Sequence, residues 1–363
     1  MGFYIRKSVK VGPLRFNLSK SGIGVSAGIK GFRVGSGPRG NYVHMGGGGV
    51  YYRASLDSAS SAASPSRPVA PPPSLGADGM QEIESASVLQ MVDASSAGLV
   101  EEMNRKQKGV RLWPWILVGG FFAIGPVSQI HPAGPAVMVP LVAILTWWTA
   151  QRDALRLTTV LMYDFEDAAI SKYQKLHDAF DSLMAAGRVG HLAASGNVSD
   201  RKRNAGAGVI VRRHVVRPHK AAPKRVSTNV EVPAIPVGRQ TLYFFPDRLL
   251  VVESAAVGAV SYKDLGVTTS ATRFIESEGV PSDAQVVDHT WQYVNKKGGP
   301  DKRFKNNRQL PIALYEEIHF TSPSGLNEVI QASKVGTGAL LREAFKSLAE
   351  TGEERLKAVV APA

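Results

Sequence analysis

From the N-terminus to residue 56, short alternating stretches (RFNLS, GFRVGSG, NYVHMG, GVYYRAS) are separated by glycines, the pattern of strands joined by tight turns. Residues 1–56 therefore predict a small all-β, meander-like module. Over residues 57–84 the pattern dissolves into Ser, Ala and Pro, with too little apolar content to offset the entropy of ordering, so a disordered or polyproline-like linker is expected. Val88, Val92, Leu99 and Met103 then recur at helical spacing, and residues 85–110 predict an amphipathic helix. Further on, LTTVLMYD reads as a strand. Ala169, Tyr173, Leu176, Phe180 and Leu183 mark one face of a helix that Gly187 stops, making 153–187 a strand and a helix. Residues 188–239 show little periodicity beyond VIV and predict a basic, loop-rich segment. In 240–350, TLYFF, LLVVES, GAVSYKD, VTTSAT, QVVDHTWQYV, LPIALYEEIHFTS and GLNEVIQAS are seven strand candidates, closed by the helix GTGALLREAFKSLAE. A flexible tail is expected over 351–363.

Between these soluble parts lies LWPWILVGGFFAIGPVSQIHPAGPAVMVPLVAILTWW, residues 112–148, with no Asp, Glu, Lys or Arg. A helix rises 1.5 Å per residue, so a hydrocarbon core of about 30 Å takes roughly 17–25 apolar residues. The run is long enough for two spans, and Gln129, His131, Pro132 and Pro135 mark the turn between Leu112–Gln129 and Ala133–Thr149. Arg105, Lys106, Lys108 and Arg111 precede the first span and Arg152 and Arg156 follow the second, which places both ends in the cytoplasm by the positive-inside rule. Trp113 and Trp115 begin the first span and Trp147 and Trp148 end the second, so a hairpin sets all four at one interface beside Arg111 and Arg152. The competing reading, given Pro126 and Pro140 inside the spans, is a buried helical hairpin or a re-entrant pair.

Charge adds partners to this picture. The net charge is +13 over 363 residues, yet residues 1–56 and 201–230 each hold nine Lys or Arg and no acid. These blocks favour an anionic surface. The absence of cysteine excludes disulfides, thiolate metal sites and cysteine nucleophiles. The stretch MGFYIRKSVKVG has no apolar segment, so no secretory signal is expected ahead of the hairpin.

Two stretches resemble known families. MGFYIRKSVKVGPLRFNLSKSGIGVSAG, then GPRG and GGGGVYYRASL, resembles the bacterial domain of unknown function 4236 in its Met1–Ser8 opening, its Asn17–Ser26 core and its Tyr52–Arg53 ending. The resemblance brings no known activity, and the run Gly46–Gly49 departs from it where members often carry Pro or Thr. Seven strands capped by a helix, with FFPDRLLVVESAAVGAVSYKDL as an opening hairpin turning at Pro246–Arg248, resemble a bacterial pleckstrin-homology-like barrel.

Catalytic motifs are weak by comparison. Gly24-Val25-Ser26-Ala27-Gly28 fits G-x-S-x-G, but that elbow needs a strand-to-helix turn on a large α/β sheet, which a 56-residue β module does not offer. No Lys-Ser/Thr pair follows the glycines at 46–49, as a phosphate loop would require. His214 and His219 sit among cations that would repel a metal, and Asp288 and His289 would point to opposite faces of a strand. Catalysis, a metal and a cofactor are therefore not expected. The loop 295–309, NKKGGPDKRFKNNRQ, offers Lys296, Lys297, Lys302, Arg303, Lys305 and Arg308 against Asp301 and is the candidate for an anionic ligand. Its bland reading is a solvated face.

The expected architecture is multi-domain α+β: a small all-β module, two transmembrane helices in a hairpin spanning 112–149, and a C-terminal antiparallel β-barrel-like domain over 240–350 capped by a helix. The expected role is recognition or scaffolding at a bacterial inner membrane, both termini cytoplasmic, with anionic lipid or a protein as partner. A nucleic-acid-binding protein using the same cations is the alternative. An enzyme with an unrecognised site is the third reading.

Overall fold

Alternating side chains with glycine at the bends build the first unit of the computed structural model, which describes residues 6–19, 22–29, 32–37, 40–45, 80–92, 96–131, 133–165, 167–198, 201–254, 256–350 and 359–360. Strands β1 (Ser8–Val11), β2 (Leu14–Ser19), β3 (Gly22–Ile29), β4 (Phe32–Gly37) and β5 (Gly40–Met45) pair antiparallel in chain order, the meander that the spacing predicts. Gly12, at φ +55°, makes the first turn, which abuts Gln151 and Ala154. Val11 and Phe16 are buried with Val160 and Met162, so the module packs where the hydrophobic hairpin enters the body. The Gly46–Gly49 turn, the Tyr52–Arg53 ending, most of the linker and most of the expected tail lie outside the described residues.

The segment 80–92 is folded, contrary to the linker and helix expected there. β6 (Gln81–Glu82) pairs with Ala194 and Ser195, and Val88–Gln90 forms one 3-10 turn. Val88 and Met91 are buried, and the Met91 carbonyl accepts the Ala259 N–H at 2.7 Å. Tertiary pairing has overridden helical spacing here: between Val92 and Leu99 lie weak helix formers, Asp, Ser and Gly among them, and the helix α1 begins only at Ala97 and runs to Lys108.

α2 (Trp113–Ile130) and α3 (Gly134–Leu157) are the two apolar helices. Both are long and apolar enough to cross a membrane. The second continues past the expected end at Thr149 because Gln151–Leu157 are helix formers that reach into the body, where Asp153 and Leu157 are buried. β7 (Thr159–Met162) follows, then α4 (Asp167–Met184), whose stripe of Ala169, Tyr173, Leu176, Phe180 and Leu183 is buried as its spacing predicts.

The segment 188–239 is mostly strand, not loop: β8 (Val189–Asn197), β9 (Val209–Val216), β10 (His219–Lys220), β11 (Val226–Thr228) and β12 (Pro233–Val237). Its β9 carries RRH in mid-strand because one flank is half-solvated, so it shows no apolar alternation. All seven strand candidates beyond it exist: β13 (Gln240–Phe244), β14 (Arg248–Glu253), β15 (Ala256–Ser261), β16 (Gly266–Ile275), β17 (Gln285–Trp291), β18 (Gln309–Thr321) and β19 (Asn327–Ala332), followed by α5 (Thr337–Ala349). They do not close a barrel. One sheet has the order β10-β12-β13-β14-β15; the other has β16-β18-β19-β8-β6, with β17 also on β18 and β9 also on β8. A small third sheet, β11-β7-β20, is completed by β20 (Val359–Val360). α4 and α5 pack together with both large sheets around Phe180, Phe244, Phe320 and Phe345. The core thus joins residues 88 to 348, and 240–350 is not a separate unit.

Candidate functional site

Where the hairpin meets the body, carboxylate chemistry fixes it. The first N–H groups of a helix have no partner of their own. Asp153 Oδ2 accepts the N–H of Leu112 at 2.5 Å and of Trp113 at 3.1 Å, although it sits forty residues on, in α3. Arg156 donates to the Val110 carbonyl at 2.7 Å and pairs with Asp153. These bonds put the start of α2 level with the end of α3, so Trp113, Trp115, Trp147 and Trp148 gather at one end of the hairpin. Arg152 lies over the Trp148 ring at 5.6 Å, and Arg111 is exposed beside them. Below this belt, Arg225, at φ +61°, donates to the carbonyls of Lys106, Gln107 and Gly109 and thereby neutralises the C-terminus of α1.

The rest of the hairpin is bare. No residue of α2 is buried, and Trp115, Phe121, Phe122, Val137, Ile144 and Trp147 are each more than 60% exposed. Burying such surface is the dominant favourable term in folding, and an exposed apolar surface of this extent marks a contact site for a membrane or another protein.

At the expected anionic site the structure adds a neighbour. Lys296, Lys297, Lys302, Arg303, Lys305 and Arg308 are all exposed. The loop is ordered by Asn295, which accepts the N–H groups of Lys297 and Gly299, and by Asn307, bonded both ways to Tyr293. Arg303 grips Asp301 with Nε and Nη2, and these hydrogen bonds hold the Asp301 carboxyl down to about 2. That cation is committed to the loop. The turn 201–206 docks alongside, with Val294 N–H on the Lys202 carbonyl at 3.0 Å and Ala205 N–H on Gln292 at 3.2 Å. Arg201, Lys202 and Arg203 therefore join the loop's lysines on one surface, a union that ninety residues of separation hid in the sequence. Tyr293 and Phe304 stack at 4.1 Å in a shallow concavity walled by Arg303 and Lys305.

A second feature is a cleft of about 810 Å³ lined by Thr272–Ile275 of β16, Ala207–Val211 leading into β9, and Leu192 and Val329 on its floor. At one wall Glu276, 1% exposed, bonds Arg188 and Arg213 at 2.9 Å each and the Tyr315 hydroxyl at 2.6 Å. Arg213 also covers the Phe274 ring at 4.2 Å. Burial, then the Glu276 hydrogen bond, pushes the Tyr315 hydroxyl up to about 12. Two of the chain's cations thus serve an internal network.

The candidate catalytic motifs take structural roles. Ser26 lies in mid-strand in β3, buried, bonded to Asn17 and the Arg15 carbonyl. Asp288 accepts the N–H of His289. His191 and Glu328, 2.7 Å apart, hold the 80–92 strap through Ser85. Among the described residues no group of three or more His, Asp or Glu could hold a metal.

Comparison with known proteins supports the N-terminal resemblance: residues 3–53 match the family described as Protein of unknown function (DUF4236). No curated protein and no solved structure matches the chain.

Proposed function

We propose that this chain is anchored by its hairpin in a bacterial inner membrane, both termini in the cytoplasm, and that its body recognises or scaffolds an anionic or protein partner there. The observation that carries this is the bare apolar surface of α2 and α3, whose start and end Asp153 ties together where they leave a folded body. The cationic flanks, Arg105, Lys106, Lys108, Arg111, Arg152 and Arg156, support the orientation. The N-terminal module contributes to attachment: its Gly12 turn touches Gln151 and Ala154, about one helical turn below Trp148, so Lys10 and Arg15 beside that turn reach the anionic headgroups. The succession of seven strands, β13 to β19, and then α5 along the chain favours a pleckstrin-homology-like ancestry for the C-terminal part, with β6, β8, β9, β10 and β12 added to its two sheets. The test is alkaline carbonate extraction of membranes carrying the full chain, which should leave it in the pellet.

A second reading, nucleic-acid binding, is favoured by the stacked Tyr293–Phe304 pair amid lysines, since bases stack on aromatic rings beside cations.

A further inference from the structure

The sheet around the large cleft is a barrel with one stave missing. β16 pairs antiparallel with β18, β18 with β19, β19 with β8, and β8 with β9. Directions alternate through these five strands, so one more strand, antiparallel to both β9 and β16, would complete a six-stranded antiparallel cylinder. Among the described residues those two end strands pair only with β8 and β18 respectively. Their other edges face the cleft. Successive side chains of a strand point to opposite faces, yet consecutive residues Thr272–Ile275 and Ala207–Val211 all line it, which is the signature of a strand bordering a space by its edge.

We propose that this cleft takes an extended segment of a partner protein as the sixth strand. Backbone groups of the segment pair with β9 and β16, and alternate apolar side chains enter between Leu192, Val329, Ile210 and Phe274. The flanks of the segment are acidic. Arg201 is so placed that a methyl on the cleft residue Gly208 would lie 2.9 Å from its guanidinium, and Lys202 and Arg203 follow it in the same turn. Arg273 stands exposed on the opposite lip, and Glu317 is the one acid among the lining residues. Two of the chain's own outlying segments fit poorly. Residues 63–75, ASPSRPVAPPPSL, hold five prolines, each without the N–H that a central strand donates. Residues 351–358 connect α5 to β20, which is held on β7. This inference names the partner chemistry of the recognition reading and does not need the membrane anchor to be correct.

The test uses the full chain in detergent and a labelled peptide of alternating valine and threonine with glutamates at each end, about ten residues long. Saturable binding is expected in fluorescence anisotropy, with slowed amide exchange over 209–215 and 270–275. A proline at the centre of the peptide should weaken binding roughly tenfold or more, because it removes a backbone bond and breaks the extended pairing. Ile210→Asp, at a residue 44% exposed and so tolerated by the fold, should weaken it comparably while leaving the thermal midpoint in place. Three results would each overturn the proposal: no saturable binding, equal binding of the proline peptide, or outer-edge amides of β9 and β16 already as protected in the free chain as those of β8. Carbonate extraction is unaffected by any of them, so failure here and failure of the anchor are separable.

Discussion

Asp153 accepts the backbone N–H of Leu112 at 2.5 Å, so a carboxylate near the end of the second apolar helix caps the start of the first. The bond closes the hairpin at its base, and Asp153 is 4% exposed. Replacing Asp153 by Ala removes the acceptor for two N–H groups and the partner of Arg156. A loss of about 1–2 kcal/mol is expected, typical of a lost cap. Thermal unfolding in detergent and trypsin cleavage after Arg111 should both report it, the latter becoming faster.

The strap at 80–92 depends on a glycine. A methyl on Gly258 would sit 2.5 Å from the Val88 carbonyl and 2.8 Å from that of Met91. These are backbone atoms with no rotamer to escape into, so Gly258→Ala should cost about 1–3 kcal/mol by overpacking. Exchange at Ala259 N–H, bonded to Met91, should rise more than exchange in β18.

Acid should weaken the body through His177. Its burial, then the nearby Lys220, lowers its pKa from 6.5 to about 4, which favours the neutral ring in the folded state. The unfolded chain therefore binds more protons between these values, and the stabilisation is complete above about pH 6.5 and lost as pH falls toward 4. The full window is worth on the order of 3 kcal/mol. Comparing thermal midpoints at pH 7 and pH 4.5, His177→Gln should show a shallower drop than the parent; an identical slope would assign the acid sensitivity to other groups.

How far these features were legible in the sequence depended on whether they were local. The hairpin, α4, α5 and the seven strands from β13 to β19 follow from patterns within a dozen residues of one another. Val88 and Val92 fit a helical period, but Ala259, far along the chain, bonds Met91 and bridges Val92, so only the single 3-10 turn Val88–Gln90 forms. β8 and β9 were missed because Gly190, His191, Arg212 and Arg213 serve a buried network and a half-open edge, so their side chains carry no apolar alternation. Arg213 read as surface charge, yet it stacks on Phe274 and pairs with Glu276. The open barrel was invisible for the same reason: whether strands close depends on which edges meet, and neither β9 nor β16 records that in its composition.

The basic surface separates into committed and available cations. Lys302→Glu with Lys305→Glu changes exposed residues in a loop ordered by asparagines, so the thermal midpoint should move by no more than about 0.5 kcal/mol equivalent. Binding to anionic vesicles or to single-stranded oligonucleotides should weaken at low salt and converge with the parent as the Debye length shrinks. Arg303→Glu should behave differently, disordering the loop, because it sets a second carboxylate against Asp301.

The absence of cysteine allows the most direct test of the hairpin, since single cysteines can be placed and labelled in intact cells with a membrane-impermeant maleimide. A cysteine at His131, in the turn between α2 and α3, should be labelled from outside the inner membrane once the outer barrier is opened. Cysteines at Ser8 and Lys302 should label only after the inner membrane is permeabilised. Labelling of Lys302 together with His131, or of none of the three without permeabilisation, would contradict a two-span anchor with a cytoplasmic body.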